Sequence, residues 1–318
     1  MIKTKLTQLL GIQYPIIQGG MAWIANAKLA AAVSEAGGLG LIGAANAPAD
    51  VVRGMIREAK ALTSKPFGVN IMLMSPYADE IAALCVEEGV KVITTGAGNP
   101  GKYFPAWKEA GIKVIPVVPS VALARRMERA GADALVVEGT EAGGHIGEIT
   151  TMCLVPQVVD AVQIPVVAAG GIADGRGFAA ALMLGAQGCQ VGTAFICAEE
   201  SPAHEEYKKL VAQAKDTDTV VTGRANGHPV RSLKNRFTKK IVELEKEDGS
   251  FEAVENLTVG SYRKAVQEGN MQEGTFMSGQ IAGLVKEVRP AKEIVEFIVG
   301  DAQDVLKNAL SKGGITIE

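Results

Sequence analysis

Eight short apolar runs punctuate the first two hundred residues: Pro15–Gln18, Leu39–Ala44, Phe67–Met72, Val90–Thr94, Lys113–Val118, Ala134–Glu138, Pro165–Ala169 and Gln190–Ile196. They are continuous rather than strictly alternating, as expected of parallel strands buried on both faces. Between them lie stretches of helical length, among them Lys28–Ala36, Ala49–Leu62, Tyr77–Glu88, Ser120–Ala130 and Gly177–Leu184. A glycine stands at the end of several such units, directly before the next strand: Gly37, Gly89, Gly111, Gly131 and Gly185. There it is expected to take the left-handed conformation that satisfies the last helical carbonyls. Strand, loop, helix and glycine thus recur every 21–31 residues.

Eight such units predict an α/β fold of the closed (β/α)8-barrel type. An open doubly wound sheet would instead carry Gly-x-Gly-x-x-Gly after its first strand. The first strand here leads into Gly19-Gly20-Met21-Ala22, which lacks that spacing. The repeat stops near Glu200. Residues 1–204 are therefore assigned to the barrel, and 205–275 to a smaller additional domain placed to cover its mouth. Residues 276–318 are read as a segment returning to the barrel and closing on a helix at Ile294–Leu310. From Lys208 to Lys240 nine basic residues (Lys208, Lys209, Lys215, Arg224, Arg231, Lys234, Arg236, Lys239, Lys240) face two acidic ones, Asp216 and Asp218. A helix is expected at Thr238–Glu247.

Composition narrows the class further. Across 318 residues Lys+Arg number 32 and Asp+Glu 35, a balance that argues against a general nucleic-acid binder. Cys85, Cys153, Cys189 and Cys197 show no zinc-like spacing and read as reduced thiols in or near the core of a cytoplasmic protein. The start, Met1-Ile2-Lys3-Thr4-Lys5, lacks the apolar stretch of a signal peptide. The long small-apolar stretch at 177–198 is broken by Gln187 and Gln190, too polar for a membrane span. These features predict no membrane association.

In barrels of this type chemistry belongs on the loops after the strands. The seventh run leads into Ala169-Gly170-Gly171, and the eighth carries Gly192-Thr193. Glycine-rich loops of this kind let backbone N–H groups approach an anion, so a phosphate site is expected there. The loop after the sixth run, Glu138 to Gly147, holds His145 between glycines, where an imidazole can donate a proton or a hydrogen bond near neutral pH. His228, in Asn226-Gly227-His228-Pro229, reads as at most a wall of the substrate mouth. Three scattered histidines (His145, His204, His228) do not suggest a catalytic metal. Gln18 to Trp23, Asn70, and Thr95 to Pro100 offer backbone and a lone amide suited to a flat ring. Met21 and Trp23 read equally well as ordinary core residues. Gly274 to Gly283 repeats the glycine-plus-amide style late in the chain.

With these residues in view, the sequence resembles the flavin-dependent enoyl-acyl-carrier-protein reductases, within the wider family that includes the nitronate monooxygenases. The resemblance runs over nearly the whole chain, through Pro15 to Trp23, Phe67 to Met72, Thr94 to Pro100, Glu141 to Gly147 and Phe276 to Val285. It implies non-covalent FMN, held by Gly20, Met21, Ala22, Asn70, Glu138, Gly143, Gly144, Ala169, Gly170, Gly171, Gly192, Thr193, Met277, Gly279 and Gln280. It also implies NADH or NADPH as co-substrate, His145 as the active-site histidine, a monovalent cation without assigned ligands, and a homodimer. The expected partner is acyl carrier protein, and the basic segment 208–240 would attract that acidic molecule. Three alternatives stay open: a nitronate monooxygenase, a barrel like inosine-monophosphate dehydrogenase, and a non-catalytic flavin- or phosphate-binding barrel. The second needs a nucleophilic cysteine after the sixth strand, where the nearest is Cys153.

Overall fold

The computed structural model of the chain describes residues 2–248 and 250–312. Met1 and the last six residues of the expected closing segment, 313–318, lie outside them.

Nine strands cover the first two hundred residues. They are β1 (Ile16–Gln18), β2 (Gly40–Gly43), β3 (Phe67–Met72), β4 (Val92–Gly96), β5 (Lys113–Val118), β6 (Leu135–Glu138), β7 (Gly144–His145), β8 (Val166–Ala169) and β9 (Gly188–Val191). All but β7 pair in parallel, in the order β1-β9-β8-β6-β5-β4-β3-β2. The ring closes between its ends. Leu39 N donates to Ile16 O at 2.9 Å, and Gln18 N to Leu39 O at 3.0 Å. The buried Gln18 side chain adds a bond from Leu41 N at 3.0 Å. This is the expected (β/α)8 barrel.

The alternation of strand side chains explains why the apolar runs are continuous. Ile17, Leu41, Val92, Ile115, Val136 and Val167 fill the barrel interior. Leu6 and Leu10 of α1 (Lys5–Leu10) pack into the same interior cluster. Their neighbours Ile16, Ile42, Ile93, Val114, Val137 and Ala168 belong to the outer core, shared with the surrounding helices. Those helices are α2 (Ala27–Glu35), α3 (Ala49–Leu62), α4 (Ala78–Glu87), α5 (Phe104–Glu109), α6 (Val121–Arg129), α7 (Thr151–Val159) and α8 (Gly175–Met183). In α3 the inward face is Val52, Ile56 and Ala59, at helical spacing. Side-chain caps start several of the others: Asn26 accepts from Leu29 N, Ser120 from Leu123 N and Asp174 from Gly177 N. All five of the glycines expected before strands have positive φ. At Gly185 (φ 96°) a Cβ would also meet Val159 Cγ1 at 2.7 Å.

The eighth strand departs from expectation. It ends at Val191, and Thr193–Ile196 forms a short helical turn, α9, instead of continuing the strand. Beyond it lie α10 (Glu205–Ala212), β10 (Thr219–Thr222), β11 (Val230–Leu233), α11 (Arg236–Glu247), α12 (Phe251–Thr258), α13 (Ser261–Glu268) and α14 (Ala291–Lys312). β10 and β11 form an antiparallel hairpin to which β7 adds as a third strand. Phe237, Ile241 and Val254 form a small core between α11 and α12. α14 packs along α8 and α2, and Asp301 accepts from Gly175 N at 3.0 Å.

Two further expectations change. Of the nine basic residues between 208 and 240, five are engaged within the chain. Lys208, Lys209 and Arg224 pair with Glu205, Glu206 and Glu148, Arg231 is buried, and Lys234 Nζ donates to Thr217 O. Seven of the nine are exposed, all but Lys208 and Arg231, and Lys215, Arg236, Lys239 and Lys240 are exposed without being among the five just named. Of the cysteines, Cys85, Cys189 and Cys197 are buried, but Cys153 is exposed, because it falls on the outer side of α7. Among the described residues no helix is long and apolar enough to cross a membrane.

Candidate active site

The carboxyl ends of the barrel strands gather the expected residues. After β8 the chain turns through Gly170 (φ 93°) and Gly171 (φ 72°), and after β9 through Gly192 into α9. A Cβ at Gly192 would meet only Met21 Sδ, at 3.8 Å, and one at Gly171 only the Glu141 side chain, from 3.4 Å outward. A Cβ would thus find room at Gly192, and at Gly171 would rest in ordinary contact with Glu141. Among the described residues the N–H groups of Gly171, Gly192 and Thr193 donate to no carbonyl. Unclaimed donors around open space are what an anion requires.

On the opposite side, Asn70 lies within β3 rather than at its end. Its Oδ1 accepts from Thr94 Oγ1 at 2.8 Å, and its Nδ2 approaches Gly20 O at 3.4 Å. A Cβ on Gly20 would overlap the Asn70 side chain. Thr94 is the residue that sequence reasoning missed here. A buried threonine in the middle of a β-branched run looks like any other strand residue, and only its partner reveals its part. Trp23 packs against the edge of the outer core. It is half-buried, has φ 63°, and carries the Arg263 guanidinium 5.1 Å above its ring.

The sixth loop is held from three sides. The Glu141 carboxylate accepts from Thr151 N (3.0 and 2.9 Å) and from Thr151 Oγ1 (2.8 Å), capping α7. The Glu141 carbonyl accepts from Gln280 N at 2.9 Å, and Thr193 Oγ1 accepts from Gly279 N at 2.9 Å. The returning segment is thereby tied to the sixth loop and to the turn after β9. A Cβ at Gly143 would strike Ser278 C at 2.6 Å, and one at Gly144 would meet Met277 Sδ at 3.6 Å. From the third side Arg231 Nε and Nη2 donate to Thr140 O at 3.2 and 3.1 Å. Arg231 is a second residue that the sequence did not single out, its basic charge having been counted as surface.

His145, on β7, pairs with Val230 of β11 and is exposed to solvent. Its pKa is lowered from the ordinary 6.5, mainly by the protein packed around part of the ring, further by His228, and against a raising effect of Glu255. The imidazole is therefore neutral at pH 7, a hydrogen-bond donor or a base rather than an acid. Glu138, at the end of β6, has its carboxyl pushed up to about 7 by burial. Among the described residues it makes no hydrogen bond, so a proton on it is available to an acceptor from outside the chain. Ala169 is its ladder partner on β8. Ala22 follows Met21 in the loop after β1 and is partly buried.

Known proteins place this arrangement. The nitronate monooxygenase family model matches residues 3–88 and 76–301. The chain belongs to this family. Among solved structures it is similar to FabK from Thermotoga maritima, with 51% identity, 99% of this chain and 100% of that chain covered, and a TM-score of 0.95. A Mycobacterium tuberculosis relative, (3aS,4S,5R,7aS)-5-hydroxy-7a-methyl-1-oxo-octahydro-1H-indene-4-carboxyl-CoA dehydrogenase, is 35% identical, covering 97% of this chain and 98% of that protein. A probable nitronate monooxygenase of Staphylococcus saprophyticus is 36% identical, with 96% and 99% covered. The chain is an FMN-binding oxidoreductase of the FabK and nitronate monooxygenase kind. The site suits that cofactor: among the described residues, the amides of Gly171, Gly192 and Thr193 donate to no carbonyl and could meet its phosphate, the Asn70 amide is fixed, and the Glu138 carboxyl has no hydrogen-bond partner.

Proposed function

We propose that this chain reduces trans-2-enoyl thioesters carried by acyl carrier protein, with NADH or NADPH as the source of electrons. One observation carries the reading: 51% identity to FabK across 99% of the chain, against 36% to a probable nitronate monooxygenase over a similar span. Bound FMN supplies the two-electron chemistry between nicotinamide and enoyl group. Gly171, Gly192 and Thr193 would hold its phosphate, and Asn70 and Glu138 its polar atoms. His145, neutral at pH 7, would donate an N–H to the thioester carbonyl oxygen and stabilise the charge that develops there as the double bond is reduced. The exposed cations Lys215, Arg236, Lys239 and Lys240 would face the acidic carrier.

A second reading has its own support. A neutral imidazole at the mouth also suits proton removal next to a nitro group, and the family model bears the name of that activity. Steady-state turnover separates the two. With NADH or NADPH and crotonyl thioester on acyl carrier protein, nicotinamide oxidation with a saturated thioester detected by mass spectrometry is expected. Nitronate-dependent oxygen uptake, with no saturated product in the first assay, would replace the proposal by the second reading.

A further inference from the structure

His145 is not the only imidazole at the mouth. β11 pairs antiparallel with β7, Val230 opposite His145 and Arg231 opposite Gly144. The pairing extends one step further, because Ile146 N donates to Pro229 O at 3.1 Å. His228 precedes Pro229, so the chain brings it diagonally next to His145, on the side that Val230 shares with it. Both rings are exposed, and among the described residues the ring nitrogens of neither have a hydrogen-bond partner. The His228 ring lies against Phe251 of α12, centroids 4.7 Å apart and planes tilted by 48°. Glu255, one helical turn on from Phe251, acts on His145 from the same helix. Two imidazoles, one from the barrel and one from the later part of the chain, thus stand as diagonal neighbours on the exposed strand pair, His228 backed by Phe251.

We propose that the site is bipartite, with His228 as a second substrate-binding residue that hydrogen-bonds the polar arm of the bound thioester while His145 meets its carbonyl. The inference rests on the enoyl thioester reading above and deepens it. A pantetheine-type arm offers amide carbonyls and N–H groups along an otherwise apolar chain, which matches an imidazole set on a phenyl ring. The geometry also gives the pair an electrostatic signature. The charged groups acting on His145 are His228, before β11, and Glu255, on α12; of these His228 opposes its protonation and Glu255 favours it.

Two substitutions test this. His228→Phe keeps a ring against Phe251 and removes both nitrogens, whereas His228→Gln keeps a hydrogen-bonding group and removes the imidazole. H228F should raise the KM for the enoyl thioester about tenfold, the loss of one substrate hydrogen bond. H228Q should recover most of that. In both, the inflection of the kcat/KM profile that belongs to His145 should move to higher pH, which checks that the two rings are neighbours, while a loss confined to KM with kcat retained separates substrate binding from a structural part. If H228F does not retain flavin, His228→Leu replaces it in the KM comparison with H228Q, with kcat as the control for a merely structural loss. An active wild type whose KM and pH profile are matched by both variants would overturn this inference and leave the proposed function standing. A wild type inert to the thioester would overturn both.

Discussion

The Thr94 hydroxyl, 2.8 Å from Asn70 Oδ1, decides which way the Asn70 amide faces. Without it the amide can turn over and present its oxygen where a donor is wanted. Thr94→Val should weaken FMN binding roughly tenfold in a fluorescence titration, with Thr94→Ser restoring it. Equal affinity in T94V would show that the amide is fixed by other means. Glu138 gives a pH-dependent test. Its carboxyl titrates near 7 in the fold against an ordinary 4.5. The folded chain thus binds an extra proton between these values. The stability this contributes is complete below about pH 4.5 and lost as the pH rises through about 7. In flavin-free protein, Glu138→Gln should gain on the parent from pH 4.5 to pH 8 by at most ~3 kcal/mol, read from urea denaturation at both pH values. A pH-independent difference would mean that the carboxyl is not desolvated. The candidate site residues that were legible in the sequence are those set among glycines in the loops after the strands, Gly170, Gly171, Gly192 and His145. Thr94 and Arg231 were not, since a threonine in a strand and an arginine in a basic run have ordinary uses, and their partners are 24 and 91 residues away.

Elements were legible where burial on two sides forces a continuous apolar run and a glycine must close the preceding helix. Gly185→Ala combines a positive φ with a contact at 2.7 Å to Val159 and should cost ~1–3 kcal/mol in thermal or urea unfolding. An unchanged midpoint would contradict the left-handed closure. Thr193–Ile196 misled because a short apolar run does not distinguish strand from helix. The turn at Gly192 separates the two, and the helical turn is what leaves the first N–H groups of α9 unclaimed. The hairpin of β10 and β11 left no trace in the pattern. Its strands are four residues each, partly exposed, and completed by β7, whose two residues lie outside any local periodicity.

At the scale of the whole molecule, the later part of the chain serves the barrel by fixing one loop. β11 pairs with β7, Arg231 binds the Thr140 carbonyl, and the Gln280 and Gly279 amides bind Glu141 and Thr193. Arg231→Met would leave the Thr140 carbonyl without its donors, a loss of ~1–3 kcal/mol. The expected result is a lower unfolding midpoint together with reduced activity, because the sixth loop leads into His145 and packs against the turn at Gly170 and Gly171. A variant with full activity would show that the loop holds its shape unaided. The central claim, that electrons pass from a nicotinamide through this site to an enoyl thioester, is tested most directly without oxygen. Protein with bound FMN is reduced anaerobically by NADH or NADPH and mixed with crotonyl thioester on acyl carrier protein, while the flavin absorbance is followed. Rapid return of the oxidised spectrum with saturated product is the predicted result. A flavin that ignores both nicotinamide and thioester, yet is reduced by a nitronate alone, would contradict it.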